Sequence, residues 1–230
     1  MTDLDDPNLS ADDHHHLARV RRVHDGDPIV IGDGAGGWRR AVMHAHRPDP
    51  TTAITVVVRP EPALALAFAL VKGAKPELVV QKLTELGIDD IRPFTAARSV
   101  VRWDESRAVG AQARLAKVAR GAAMQSRRAW LPTVHPVATF ASVASLPGAC
   151  RADRGGEPAT LAQPLILVGP EGGWSDEERN VALASVGLGP HVLRAETAAI
   201  AAATVLGALR AGLVATAESV EWRGDGSEGG

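Results

Sequence analysis

The chain of 230 residues contains a single cysteine, Cys150. That excludes an internal disulfide framework and fits a reducing, cytoplasmic setting. No apolar run approaches the ~20 residues of a membrane span. The N-terminus, MTDLDDPNLSADD, is acidic and lacks the apolar stretch of a secretory signal. Together these absences point to a soluble protein with no membrane partner. No G-x-x-x-x-G-K-[ST] occurs, which argues against an NTPase, and no G-x-S-x-G elbow, which argues against a hydrolase. The run His14–His16 makes a poor metal site, because three successive helical residues point in different directions and no H-x-x-x-H or cysteine partner occurs elsewhere. The reading is therefore no metal. No internal repeat or heptad is found.

What is present is enough for one large domain or two small ones with real cores: 45% of the residues are hydrophobic. The formal net charge is −2, but it is unevenly spread. Setting aside residues 1–13 and 218–230 leaves 24 basic and 18 acidic residues, a body of about +6. A moderately basic body suits RNA, and equally a solvated surface. Both ends read as disordered.

Residues 12–58 read as a small unit. Asp12 or Asp13 caps a short helix through Val23, and strands follow at Pro28–Ile31, Trp38–His46 and Ala53–Val58. GDGAGG, Gly32–Gly37, matches the dinucleotide fingerprint literally. That fingerprint must open a helix, and the WRRAVMHAH that follows suits a strand, so the segment reads as a turn. RPEP at 59–62 reads as a linker. Beyond it the pattern changes to alternating strands and helices: a strand at 63–71, a helix at 75–87 with Leu78, Val79, Leu83 and Leu86 as its buried stripe, and a strand at 88–94. A long helix at 104–128 follows, then an unassignable loop-rich stretch at 145–164 and a strand LILV at 165–168. Ser175 and Glu178 form a capping box opening a helix that ends at Gly187. HVLR at 191–194 is strand-like, and 196–214 is an alanine-rich helix. Alternation of this kind implies an α/β fold with a mostly parallel sheet covered on both faces.

Basic residues fall into three groups. Arg19, Arg21 and Arg22 flank the first helix. Lys72, Lys75 and Arg98 lie near predicted strand ends, and Gln125, Arg127 and Arg128 end the long helix. Ligands bind at strand ends in open α/β sheets, so these groups are candidate phosphate contacts of an RNA-binding surface. Two glycine-bearing turns, VGPEGGW at 168–174 and GLGPHVLRAETAA at 187–199, carry the strongest signal. Glycine there allows a backbone to approach a ligand. The first has the outline of a phosphate loop but places the carboxylate of Glu171 where such a loop wants Lys.

The pair GPEGGWSDEE and LGPHVLRAETA resembles the SPOUT class of methyltransferases, and within it the RsmE-type family that methylates N3 of a uridine in 16S ribosomal RNA. HHHLARVRRVHDGDPIVIGDG is similar to that family's small β-rich PUA-like unit. QKLTELGIDDIRPFTAARSVVRW and AAMQSRRAWLPTV resemble other family segments, so the likeness spans roughly 14–214. The resemblance implies a PUA-like RNA-binding domain at 1–60 and a SPOUT α/β methyltransferase domain at 61–217 with a trefoil knot. A tail at 218–230 completes the division.

It also implies a homodimer acting on 16S ribosomal RNA or the small ribosomal subunit, with S-adenosyl-L-methionine as cofactor. Leu167, Gly169, Pro170, Glu171, Gly172, Gly173, Leu188, Gly189, Leu193, Arg194, Glu196, Thr197 and Ala198 would line the cofactor site. Glu171 suits a ligand that is cationic and carries no phosphate. For catalysis, Glu171 or Glu196 would accept the N3 proton, and Arg194 or Arg128 would stabilise the negative charge on the base. Other readings are a SPOUT enzyme acting at another RNA site, a non-catalytic RNA-binding protein, and a nicotinamide enzyme using GDGAGG. The chain departs from the family pattern at MTDLDDPNLS, where a basic, aromatic strand is usual, and at Trp174.

Overall fold

The computed structural model describes residues 3–10, 13–14, 17, 22–72, 75–101, 103 and 105–214, with the backbone alone at 105 and 106. Asp12, His15, His16, Arg19 and Arg21, and the tail beyond 214, lie outside the described residues. Contacts divide the chain into two units, Met1–Pro60 with Arg120–Leu131, and Glu61–Ala119 with Pro132–Gly230.

The first unit is a small antiparallel sheet. Strands β1 (Pro28–Gly32), β2 (Gly37–His44) and β3 (Arg47–Pro50) lie side by side, and β4 (Thr55–Val56) pairs with the start of β2. Gly32–Gly37 is the hairpin turn between β1 and β2. The Asp33 carboxylate accepts hydrogen bonds from the backbone N–H of Ala35 (2.6 Å) and Gly37 (2.9 Å), and Gly34 and Gly36 hold positive φ. No helix follows, so this segment does not present the helix N-terminus that a pyrophosphate needs.

The strand expected over Trp38–His46 stops at His44. Ala45 (φ 47) and His46 (φ 67) both adopt left-handed backbone and turn the chain into β3, with the Ala45 N–H donating to Asp25 (2.6 Å). This two-residue connection has the positive-φ geometry that hairpins favour, built without glycine. Non-glycine residues there cost about 1–2 kcal/mol each. His46→Gly is expected to raise stability by about 0.5–1 kcal/mol, read from urea midpoints.

Residues 3–10 are ordered against this sheet rather than disordered as the composition suggests. Leu4 is buried with Ile31 and Ala41, Asp5 pairs with Arg39 (2.7 Å), and Asp6 pairs with Arg47. One apolar anchor flanked by carboxylates facing arginines holds down a segment whose overall composition is polar. Ser10 rather than Asp13 makes the capping contact before the first helix: its hydroxyl accepts from Asp13 N–H (3.2 Å) and donates to the Asp13 carboxylate (2.7 Å), while Asp12 lies outside the described residues. Trp130 completes the unit, its indole N–H donating to Val57 O (2.9 Å).

The second unit is a seven-stranded parallel sheet in the order β11-β9-β10-β5-β6-β7, with β8 also pairing β6. Its strands are β5 (Ala65–Ala69), β6 (Asp90–Thr95), β7 (Thr133–Val134), β8 (Ala138–Thr139), β9 (Ala149–Glu157), β10 (Leu165–Val168) and β11 (Ala184–Val186). The helices are α1 (Lys75–Glu85), α2 (Glu105–Gln125), α3 (Phe140–Ala144), α4 (Asp176–Asn180) and α5 (Ala195–Arg210). The last residues of α2, from Arg120, group with the first unit.

Alternation along the strands feeds two cores. Leu66, Phe68, Ile166 and Val168 join Val79, Val80, Leu83, Leu206 and the alanines of α5 on one face. Ala67, Ala69, Leu165 and Leu167 join Phe94, Phe140 and Trp174 on the other. The small residues of α5 allow close approach: a side chain at Gly207 would meet Leu86 O at 2.8 Å.

Four expectations fail here. The buried face of α1 is Pro76, Val79, Val80, Leu83 and Thr84, while Leu78 is 41% exposed, because its direction falls off the 3.6-residue stripe. The stretch 145–164, without a strand signal, contains the interior strand β9. Its charges hide it. Arg151 is buried there and donates to the carbonyls of Glu178 (2.9 Å) and Arg179 (3.2 Å).

The helix opened by Ser175 does not run to Gly187. It ends at Asn180, Val181 takes extended backbone, and the chain becomes β11. HVLR is not a strand; it leads from β11 to α5 without pairing, and Arg194 occupies the N-cap position of α5. In both places sheet pairing decides over local pattern. Cys150 sits in β9, 1% exposed, and burial pushes its thiol up to about 11. It is therefore expected to resist thiol reagents at about pH 8 until the protein unfolds, as a colorimetric thiol titration would read.

Candidate active site

The order of the sheet reverses at β5 and β10. From β5 the chain steps outward to β6, whereas β10 lies on the other side and leads to β11 at the far edge. Loops leaving the carboxyl ends of two such strands diverge and open a crevice, the usual ligand site of an open α/β sheet. Four described places are linked there: Lys75 at the start of α1, Ala97 and Arg98 after β6, the turn 169–178 after β10, and Glu196 at the start of α5.

The turn after β10 is built by backbone. Gly173 N–H donates to Pro170 O (2.9 Å), and Gly173 has φ +69, a conformation that glycine adopts without strain. Trp174 lies beneath it, 3% exposed, stacked on Phe94 with centroids 6.2 Å apart and donating its indole N–H to Ala152 O (2.9 Å). A side chain at Gly169 would meet the Trp174 ring at 2.9 Å, so the indole makes glycine obligatory there. Leu167 is wholly buried in the same cluster and reaches the crevice only through its backbone.

Glu178 does more than close its capping box. One oxygen accepts from Ser175 N–H (2.9 Å); the other accepts from Ala97 N–H (2.8 Å) in the loop after β6. The same loop is folded on itself by Ser99, whose hydroxyl accepts from Ala96 N–H (3.0 Å), and Arg98 donates to Gly172 O (3.4 Å). Sequence spacing disclosed the capping box but gave no sign of the partner 81 residues away.

Charged groups meet at the opening of the crevice. Lys75, the first residue of α1, places its ammonium 3.1 Å from Glu196 and 3.9 Å from Glu171. Glu196 lies in the first turn of α5, its side chain 13% exposed, and its Oε2 is buried with no hydrogen-bond partner among the described residues. Its own backbone N–H, Lys75 and Arg194 hold its carboxyl below the usual carboxylate range, although burial acts the other way. Because the folded value is the lower one, Glu196 stabilises the fold at neutral pH, and that contribution is lost as pH falls through the folded value, below about 4.5.

Of the other sequence candidates, Leu188 and Ala198 pack against the larger core. Gly189 has φ +115; Arg194 and Thr197 are exposed, and Leu193 is half-buried. Lys72 and Arg98 are exposed in the second unit. Gln125, Arg127 and Arg128 group with the first unit, as does Arg22. Arg19 and Arg21 lie outside the described residues.

Residues 59–207 match the family model of an RNA methyltransferase domain, and residues 9–45 that of an RNA methyltransferase PUA domain. The ribosomal RNA small subunit methyltransferase E of Mycobacterium bovis is 32% identical over 93% of this chain and 90% of its own. The chain belongs to the ribosomal RNA small subunit methyltransferase E family. The Bacillus subtilis member is 28% identical over 86% of this chain and 88% of its own. The crystal structure of the Neisseria gonorrhoeae member, bound to S-adenosyl methionine, superposes with a TM-score of 0.73 at 27% identity, covering 88% of this chain and 95% of that one. The fold is accordingly the expected one, a SPOUT-class α/β methyltransferase domain preceded by a PUA-like unit.

Proposed function

We propose that this chain transfers a methyl group from S-adenosylmethionine to N3 of a uridine in 16S ribosomal RNA, as a cytoplasmic homodimer acting on the RNA or the small ribosomal subunit. Residues 1–60 form the RNA-binding domain and 61–217 the catalytic domain. The observation that carries this reading is the Lys75–Glu171–Glu196 cluster at the reversal of the sheet. It includes a buried carboxylate oxygen with no hydrogen-bond partner among the described residues. A cationic cofactor rich in N–H and O–H donors fits, and membership of the family agrees with it.

The cofactor supplies the methyl group when bound. The chain's own residues hold the reactants and manage charge, which can account for much of the rate. The backbone of Gly169–Gly173 and of Leu188–Gly189 would line the cofactor, and Glu196 would accept a hydrogen bond from it. Glu171, 40% exposed at the mouth, takes the N3 proton, and Arg194 faces the negative charge that forms on the uracil as that proton leaves. The base must be presented unstacked, as single-stranded RNA usually is.

Purified protein given methyl-labelled S-adenosylmethionine and unmodified 16S ribosomal RNA should yield labelled 3-methyluridine on digestion. Label in a different nucleoside would reassign the acceptor atom, and no label in any RNA would contradict the proposal. Calorimetry should detect S-adenosylmethionine binding and none for NAD.

A further inference from the structure

We infer that Lys75 is a positioning residue of the cofactor site, its ammonium fixing the Glu196 carboxylate so that one oxygen stays free to accept a hydrogen bond from bound cofactor. The inference rests on the reading of the crevice as a site for S-adenosylmethionine. Lys75 begins α1, Glu171 belongs to the turn after β10, and Glu196 to the first turn of α5. These are three separate elements, and one side chain ties them together. The ammonium lies 3.1 Å from Glu196 Oε1 and 3.9 Å from Glu171 Oε1.

The other oxygen of Glu196 is buried with no hydrogen-bond partner among the described residues. Buried polar atoms are rarely left so, and an ionised one least of all, which points to a donor arriving with a ligand. Ribose hydroxyls, an exocyclic amine and an amino-acid ammonium are such donors. Held from the Oε1 side by Lys75, the carboxylate presents Oε2 in one orientation.

Lys75 is also a poor phosphate contact. Its charge is already shared by two carboxylates, so RNA backbone gains little from it. Glu196 faces Lys75 from α1, Arg194 from its own helix cap and, through Lys75, Glu171 from the turn. Strands β5 and β10, against which α5 packs, carry no charged residue. Removing Lys75 therefore releases the carboxylate from its ammonium partner and lets it turn, while its own backbone N–H and Arg194 still favour the ionised form.

The test uses the full chain with Lys75→Met, Lys75→Arg, Glu196→Gln and the Lys75→Met/Glu196→Gln pair. S-adenosylmethionine affinity is measured by calorimetry and RNA affinity by filter binding. Lys75→Met is expected to weaken cofactor binding about 10-fold at about pH 7.5. Lys75→Arg keeps binding within about threefold, and in the Glu196→Gln background Lys75→Met adds less than about twofold, the non-additivity expected of residues acting through one another. RNA affinity of Lys75→Met stays within about twofold, since exposed single charges contribute little.

An equal loss in the Glu196→Gln background would overturn the inference, as would unchanged cofactor binding with weakened RNA binding. Failure of the unaltered, folded protein to bind S-adenosylmethionine is a separate result, and it would overturn the proposed function itself.

Discussion

Arg194→Ala lowers kcat for methyl transfer by about 10²–10³-fold while leaving the Kd for S-adenosylmethionine within about threefold, the split expected when a preorganised charge acts on the transition state. The position of the residue is the reason. Arg194 is the N-cap of α5 and makes no side-chain cap hydrogen bond. It is exposed, directly precedes the helix that carries Glu196, and helps hold that carboxylate ionised. Its side chain is therefore exposed next to the turn that carries Glu196, with no capping bond that consumes it. Alkylation at N3 requires loss of the N3 proton, and the negative charge that then spreads over the uracil oxygens needs a cation. Stability should hardly move, because surface substitutions usually stay within about 0.5 kcal/mol. Steady-state kinetics paired with calorimetry read both sides of the split. A Kd that rises as much as kcat/KM falls would instead make Arg194 a cofactor ligand.

Arg210→Ala lowers the unfolding free energy of the second unit by about 3–5 kcal/mol, the cost of leaving one partner of a buried pair uncompensated. Arg210 ends α5, and its guanidinium pairs with Asp89, which is 1% exposed. The same guanidinium donates to Gly87 O (2.6 Å) and Pro62 O (3.3 Å), and the Asp89 carboxylate also accepts from Leu64 N–H (3.0 Å). One side chain thus clasps the end of the last helix to the turn after α1 and to the entry of β5. For a chain of this size each kcal/mol moves Tm by about 2–4 °C, so the midpoint should fall by roughly 10 °C or more. Arg210→Lys should recover part of the loss through charge but not through the forked donation to two carbonyls. Differential scanning calorimetry reads this directly, and an unchanged midpoint would mean that the clasp contributes nothing net.

How much of this was legible in the residues depends on what each signal encodes. LILV is apolar throughout because β10 is buried on both faces, and its bounds follow from that alone. The Ser175–Glu178 box is local chemistry across three residues, so spacing reveals it. β9 is the opposite case. Arg151 and Asp153 are stabilised there by partners from α4 and its end, distant in sequence, so a window over 149–157 reads as loop. β11 and the path of HVLR were misread for the same reason: which segment finds a sheet edge is settled by the whole sheet. At the site, the glycine turns and Glu171 stood out by composition. The partnership of Lys75 with two carboxylates did not, because it joins residues 96 and 121 positions apart. The clasp of Glu178 on Ala97 escaped for the same reason. The acidic N-terminus misled in the other direction, since its charges are complemented by Arg39 and Arg47 rather than left to solvent.

The central claim is that the crevice at the β5–β10 reversal methylates N3 of a uridine in 16S ribosomal RNA. Its most direct test is nucleoside mass mapping of 16S ribosomal RNA from cells in which the gene has been deleted, then restored intact or with Arg194→Ala. The account predicts that 3-methyluridine disappears from one position on deletion, returns with the intact gene and returns only in trace with the variant. Undiminished 3-methyluridine after deletion would contradict it.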